Sequence, residues 1–300
     1  MSERVWKERK RSSMFVEVGK EIRVEDLLRG IIIQSGNDAC IVVAEEIAGS
    51  EEAFAIIMND LARDIGLMNT NFTNSTGMFH EDNYSTVYDI ALLSKYLINK
   101  FPNYYHLFAE TEFEWSGIKQ NNRNPLLYKE MGADGLKTGH LSASGYGLAA
   151  SAVQDGRRLI SVTNGFSSSK KRSQGSASLL TWGFREFTNI NISRAVEVFS
   201  EIEIPLAKKM VQFTPSQIIK VPVSKANKDK IIQNIRVVPN ISAPLLAGSV
   251  VATLEVVLSD NEKATFDLET VNEVQQTGII GRFFSFVINL ITSLFSIIFS

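Results

Sequence analysis

Gln34-Ser35-Gly36-Asn37-Asp38-Ala39-Cys40 and Asp134-Gly135-Leu136-Lys137-Thr138-Gly139-His140 set small, polar and cationic residues inside apolar, periodic surroundings, and their places decide the fold. Apolar residues recur at helical spacing over 24–33, and Asp38 suits the N-cap of a second helix over 39–48. Ser35-Gly36-Asn37 is therefore expected on a loop between two helices. There a hydroxyl and a carboxamide two residues apart can face one cleft, and Gly36 permits close approach of another chain. Lys137-Thr138-Gly139 precedes two short apolar runs, 145–152 and 159–164, separated by Gln154-Asp155-Gly156-Arg157. An Asp-Gly pair between such runs signals a hairpin. On a strand edge, a cation and a hydroxyl can bind a carboxylate while Gly139 leaves room for a substrate backbone. Each triplet alone is an ordinary turn or strand end.

Working outward, Gly19-Lys20 between Met14-Phe15-Val16 and Ile22-Arg23-Val24 predicts a hairpin feeding the first helix. Ser50 followed by Glu51 and Glu52 predicts a capped helix whose face Phe54, Ile57, Leu61 and Ile65 is apolar and which Gly66 ends. Residues 69–83, dense in Asn, Thr, Ser and Gly, are loop, and Ser85 or Thr86 caps another helix that stops before Pro102. Helical spacing returns over 173–187, with Leu179, Leu180, Trp182 and Phe184 as core candidates. Helices flanking an antiparallel sheet, an α+β fold, are implied for the first 190 or so residues. Beyond 196 come short strands, expected over 196–204, 218–223, 231–238, 250–258 and 264–268, with the turn chemistry of a small sandwich. The predicted division is 1–192, then an all-β domain over 193–275, then a helix over 276–300. Within 279–299 the polar residues Arg282, Ser285, Asn289, Thr292, Ser293 and Ser296 make a narrow stripe against a Phe, Ile and Leu face. That pattern predicts a helix lying in a membrane interface. At about 1.5 Å per residue, the segment is also long enough to cross a hydrocarbon core of roughly 30 Å.

At 300 residues and 44% hydrophobic, the chain can fill real cores. A net charge of −2 gives no basic footprint, so nucleic acid is not an expected partner. Cys40 is the single cysteine, which excludes an internal disulfide and suggests a core thiol. The basic, polar N-terminus lacks the pattern of an export signal. His80, His106 and His140 have no metal-ligand spacing, and no cofactor is implied. Asp64, Glu110 and Asp134 have the sequence context of solvated carboxylates, and Arg157-Arg158 that of the outer edge of a hairpin.

Taken in order, with Leu28-Arg29-Gly30, Asn121-Asn122-Arg123-Asn124 and Leu180-Thr181-Trp182-Gly183-Phe184 between and beyond them, the two stretches resemble the D-alanyl-D-alanine carboxypeptidases of the low-molecular-mass penicillin-binding type, the S11 serine peptidases. The resemblance covers essentially the whole chain. It implies a β-lactamase/transpeptidase-like domain with an acyl-enzyme chemistry on peptidoglycan stem peptides ending in D-Ala-D-Ala. It also implies binding of beta-lactam antibiotics and a place on the periplasmic face of the inner membrane, held through 279–299. Ser35 and Asn37 would be catalytic, Ser35 relaying a proton to the leaving D-alanine and Asn37 holding the substrate peptide. Lys137 and Thr138 would grip the terminal carboxylate beside Gly139, and the backbone N–H near His140 would serve the oxyanion. The family's Ser-x-x-Lys motif, which carries the acylated serine ahead of Ser-x-Asn, has no counterpart in these 300 residues. Ser116-Gly117-Ile118-Lys119, Ser167-Ser168-Ser169-Lys170 and Ser168-Ser169-Lys170-Lys171 have strand-edge or polar-loop contexts rather than a helix N-terminus facing the cleft. A chain inactive on its own is thus expected. The alternative is a non-catalytic remnant that binds peptidoglycan peptides or acts structurally at the membrane. A β-lactamase or transpeptidase fits the β domain and terminal segment less well.

Overall fold

The computed structural model describes residues 12–193, 200–259 and 262–278, so the helix expected over 279–299 lies outside the described residues. Among the described residues no helix is long and apolar enough to cross a membrane. The chain forms two compact units that divide between Arg185 and Glu186.

The first unit contains α1 (Val24–Ile32), α2 (Asn37–Ala48), α3 (Glu51–Ile65), α4 (Val87–Lys100) and α5 (Ser169–Glu186). A small hairpin of β1 (Glu112–Trp115) and β2 (Ile118–Asn121) accompanies an antiparallel sheet of β3 (Ala133–Leu141), β4 (Gly145–Gln154) and β5 (Arg157–Phe166), in that order. Helix ends follow their local chemistry. The Ser50 hydroxyl accepts the Ala53 N–H at 3.1 Å, and the Thr86 hydroxyl accepts that of Asp89 at 3.1 Å. Gly66 closes α3 in the left-handed conformation. Asp155 and Gly156 both take positive φ, as the two-residue β4–β5 turn requires.

One face of the sheet packs on α5, where Leu180 is 1% exposed among Leu126, Leu148, Ala150 and Ala152. Phe184 joins this cluster, but Trp182, at 47% exposed, turns outward, as does Leu179. The predicted inner face of α3 is also corrected. Ala55 and Ala62 are buried, whereas Ile57 and Leu61 are 46% and 44% exposed. Small residues let α3 sit close to its neighbours, and helical periodicity alone does not tell which of two semi-apolar faces turns inward.

Among the described residues no hairpin precedes α1. Residues 13–16 are instead fixed by Asp38, whose buried carboxylate accepts the Ser13 hydroxyl (2.7 Å) and the N–H groups of Met14 (2.8 Å) and Val16 (2.9 Å). Asp38 is not the N-cap of α2, which is Gly36. Its carboxylate binds a distant segment instead. Met14 then fills the space where a Cβ on Gly30 would lie, and a Cβ on Gly36 would come within 2.9 Å of the Met14 nitrogen. Glycine is required at both positions because the chain passes so close.

The second unit is all β. β10 (Ile232–Val237), β11 (Val250–Ser259), β12 (Glu262–Thr270), β8 (Val211–Pro215) and β7 (Ser200–Ile202) form one sheet in that order, and β6 (Phe187–Ser193) pairs with β9 (Ile219–Ser224). Phe213, Leu254, Val256 and Leu268 are its fully enclosed core. β6 and β8 lie outside the expected strands; β8 nonetheless alternates strictly, with Val211, Phe213 and Pro215 buried and Gln212 exposed.

Asp38→Ala removes the carboxylate that accepts from the Ser13 hydroxyl and from the Met14, Val16 and Ala39 N–H groups and is expected to cost about 3 kcal/mol or more, lowering the urea midpoint of the first unit. Phe213→Ala in the second unit is expected to cost roughly 3–5 kcal/mol through the cavity it leaves. Urea unfolding of each variant, followed by circular dichroism, measures both losses.

Candidate active site

α1 ends in a tight reversal. The Gly36 N–H donates to the Gly30 carbonyl at 2.9 Å, which places Ser35 in the left-handed conformation at φ 57°. Glycine or asparagine normally occupies such a helix-closing position. A serine held there is a strained choice that points to function rather than stability. Gln34 is buried behind it, its amide donating to the Phe113 carbonyl at 3.3 Å. Asn37 begins α2 immediately beyond Gly36.

The second stretch lies within β3, an edge strand of the sheet. Lys137 pairs with Ala149 and Thr138 with Leu148, so the two side chains leave opposite faces of the strand. The Lys137 Nζ donates to the Ser35 Oγ at 2.7 Å and to the Thr138 carbonyl at 3.1 Å. The structure therefore joins the two motifs by a direct bond. Gly139 comes next, with nothing within 4 Å of a Cβ position, leaving the strand edge open. His140 stacks on Tyr146 with ring centres 3.9 Å apart.

Burial pushes the Lys137 ammonium down to about 8, and the nearby cations Arg123 and Arg172 push in the same direction, with Cys40 opposing. Burial also lowers Arg123 and Arg172. The Arg172 guanidinium stands 5.8 Å from the Tyr146 ring centre, and its buried Nε has no hydrogen-bond partner among the described residues. Three cations that raise one another's cost make a place suited to an anion. The Cys40 thiol is pushed up to about 12, chiefly by burial, which makes it a poor nucleophile.

Several sequence expectations need correction. Glu110 is not a solvated carboxylate, since it grips Arg29 through Nε at 2.8 Å and a terminal nitrogen at 3.1 Å. Asp134 and Arg158 form a two-point ion pair inside the sheet, so Arg158 is not on the outer edge of a hairpin. Ser168 caps α5 by accepting the Lys171 N–H at 3.2 Å, so that string opens a helix rather than lying in a polar loop. Lys170 and Lys171 are nonetheless exposed. Ser116 sits at the β1–β2 turn, and Lys119 pairs at 2.6 Å with Glu112 on the surface. Arg123 and Arg172 escaped the sequence reading because only the folded chain brings them to Lys137. Asn124, beside Arg123, donates to the Gly135 carbonyl at 2.8 Å and ties that loop to β3.

Residues 1–167 match the D-alanyl-D-alanine carboxypeptidase family, peptidase S11, and residues 187–276 match the C-terminal domain of penicillin-binding protein 5. The D-alanyl-D-alanine carboxypeptidase DacA of Haemophilus influenzae is 34% identical over 95% of this chain and 74% of its own length. DacC of Escherichia coli is 37% identical over 92% of this chain and 70% of its own. Penicillin-binding protein 5 of Haemophilus influenzae superposes with a TM-score of 0.83 at 34% identity, covering 91% of this chain and 80% of that one. The chain belongs to the S11 family of serine-type D-alanyl-D-alanine carboxypeptidases.

Proposed function

We propose that this chain supplies the substrate-gripping and proton-relaying side of a carboxypeptidase that removes the terminal D-alanine from peptidoglycan stem peptides. The observation that carries the proposal is the 2.7 Å bond from Lys137 Nζ to Ser35 Oγ at a confluence of cations. In the reaction, a serine oxygen attacks the carbonyl between the two D-alanines, and D-alanine leaves as its nitrogen takes a proton. Water then releases the shortened peptide from the acyl-enzyme. Ser35 fits the proton relay because its hydroxyl already accepts from a cation and can donate toward the leaving nitrogen. Asn37 orients the substrate amide. Lys137 holds the terminal carboxylate from its face of β3, with Gly139 giving the peptide room along the open edge of the strand, and the N–H near His140 serves the oxyanion.

The acylated serine belongs to a Ser-x-x-Lys segment other than the three strings in these 300 residues, whose lysines are surface groups. The 300 residues alone are accordingly not competent for acylation. Beta-lactams enter as mimics of the same peptide end, as the name of the penicillin-binding relative suggests for that protein. The organisation proposed is 1–185 for the catalytic domain, 186–278 for the β domain and 279–300 for a membrane-associating helix, with the site on the periplasmic side.

Fluorescent penicillin is expected to leave no covalent label on the 300-residue chain; label on Ser35, Ser116 or Ser167 would overturn the role given to Ser35. Peptide capture is expected to depend on pH with a definite sign. Lys137 is charged below about 8, so affinity for a D-Ala-D-Ala peptide is flat below that value and falls up to tenfold per unit above it. Between that value and the ordinary lysine value of about 10.4, the unfolded chain binds more protons than the folded one. Lys137 therefore makes stability rise with pH across this window. Lys137→Met removes both dependences. Calorimetric titration and urea unfolding from pH 7 to 9.5 measure them.

A further inference from the structure

The pairing of β3 with β4 contains one register shift, and it lies shortly before the Lys137 motif. Ala133 pairs with Ala152 and Gly135 with Ser151, so Asp134 is an extra residue on β3 with no partner on β4. Beyond it the pairs are Leu136 with Ala150, Lys137 with Ala149 and Thr138 with Leu148. Leu148, Ala150 and Ala152 belong to the layer packed on Leu180 of α5. Were Asp134 paired with Ser151 instead, the upstream register would continue, and Lys137 would pair with Leu148. Its side chain would then enter the apolar layer under α5 instead of meeting Ser35 on the other face. A one-residue slip exchanges the two faces of a strand, and a bulge is a slip built into one place.

Asp134 is held there by groups from three other elements. Arg158 on β5 meets both carboxylate oxygens, at 2.8 and 2.7 Å, and donates to the Ser151 hydroxyl on β4 at 2.5 Å. The Tyr105 hydroxyl donates to Asp134 at 3.0 Å, with the Arg158 guanidinium 5.0 Å from its ring centre. The same Tyr105 oxygen would lie 2.5 Å from a Cβ on Gly135, so only glycine fits at the next position. Asn124 then holds the Gly135 carbonyl. A two-point Arg–carboxylate pair fixes direction as well as distance.

We propose that Asp134, locked by Arg158, Tyr105 and Ser151, is a positioning residue whose bulge sets the face of β3 on which Lys137 stands and so assembles the anion-binding side of the site. The clamp touches no substrate. Its consequence for peptide affinity rests on the function proposed above; its consequence for Lys137 does not.

The test uses the 300-residue chain with isotope-labelled lysine, the Lys137 resonance assigned by Lys137→Arg, and the titration of Lys137 followed by NMR in the unaltered chain, Asp134→Ala, Arg158→Met and the double variant. Lys137 is expected to titrate near 8 in the unaltered chain. In each single variant the midpoint is expected to fall by a further unit or more as the ammonium is turned toward the apolar layer, with no further fall in the double variant because the pair acts as one device. Affinity for diacetyl-L-lysyl-D-alanyl-D-alanine at pH 7 is expected to fall at least tenfold in each. Should Asp134→Ala not fold, Asp134→Asn, which keeps the side-chain volume and one acceptor oxygen, is judged by the same shift. Folded variants in which Lys137 still titrates as in the unaltered chain would overturn the proposal. An unaltered chain that fails to bind the peptide would instead overturn the functional reading, and the titration would still decide the role of the clamp.

Discussion

An ammonium brought into a partly enclosed cleft beside two further cations is the constraint on which the first unit depends. Lys137 stands there at a cost in solvation, shown by its depressed proton affinity, and among the described residues a hydroxyl and a carbonyl accept from it. Such an arrangement is poor for stability and good for capturing an anion, since a hydrogen bond to a charged group contributes about 1.5–3 kcal/mol. The surface pairs Lys119–Glu112 and Lys20–Glu17 belong to a class worth about 0–1 kcal/mol and decide nothing about the site.

Holding Lys137 against Ser35 requires two independent pieces of scaffolding. On the helical side, Asp38 fastens residues 13–16, Met14 fills the gap over Gly30 and Gly36, and the reversal between α1 and α2 is forced to carry Ser35 in a left-handed conformation. On the sheet side, the layer of Leu148, Ala150 and Leu180 fixes one face of β3, and the Asp134 bulge sets which face each later residue of the strand takes. Both devices use a carboxylate that accepts several hydrogen bonds, buried at Asp38 and partly buried at Asp134. Each replaces the regular secondary structure that the chain abandons at that point.

Local chemistry in the sequence was a good guide where it acts over a few residues. The Ser50 and Thr86 caps, the Gly66 stop and the Asp155-Gly156 turn are formed as their residue types demand. Ser35-Gly36-Asn37 and Lys137-Thr138-Gly139 are legible in the sequence because each is a short string, and the fold joins them through the Lys137–Ser35 bond. The rest depends on contacts between distant parts of the chain. Asp134 and Arg158 look like surface charges until β5 is laid two strands from β3, and Arg172 has no visible link to Lys137 until α5 covers the sheet. Asp38 has the sequence context of a cap because a carboxylate at a helix start usually serves its own helix, whereas the segment it binds lies more than 20 residues away. The exposed Ile57 and Leu61 show the same limit for helix faces.

The central claim, that this confluence of cations holds the free carboxylate of a peptide, is tested most directly by comparing two ligands that differ only at that group. Calorimetric titration of the 300-residue chain at pH 7 with diacetyl-L-lysyl-D-alanyl-D-alanine and with its C-terminal amide gives the comparison. The account predicts that the amide binds at least tenfold more weakly and that Lys137→Met removes the difference. Equal affinities for acid and amide would contradict it.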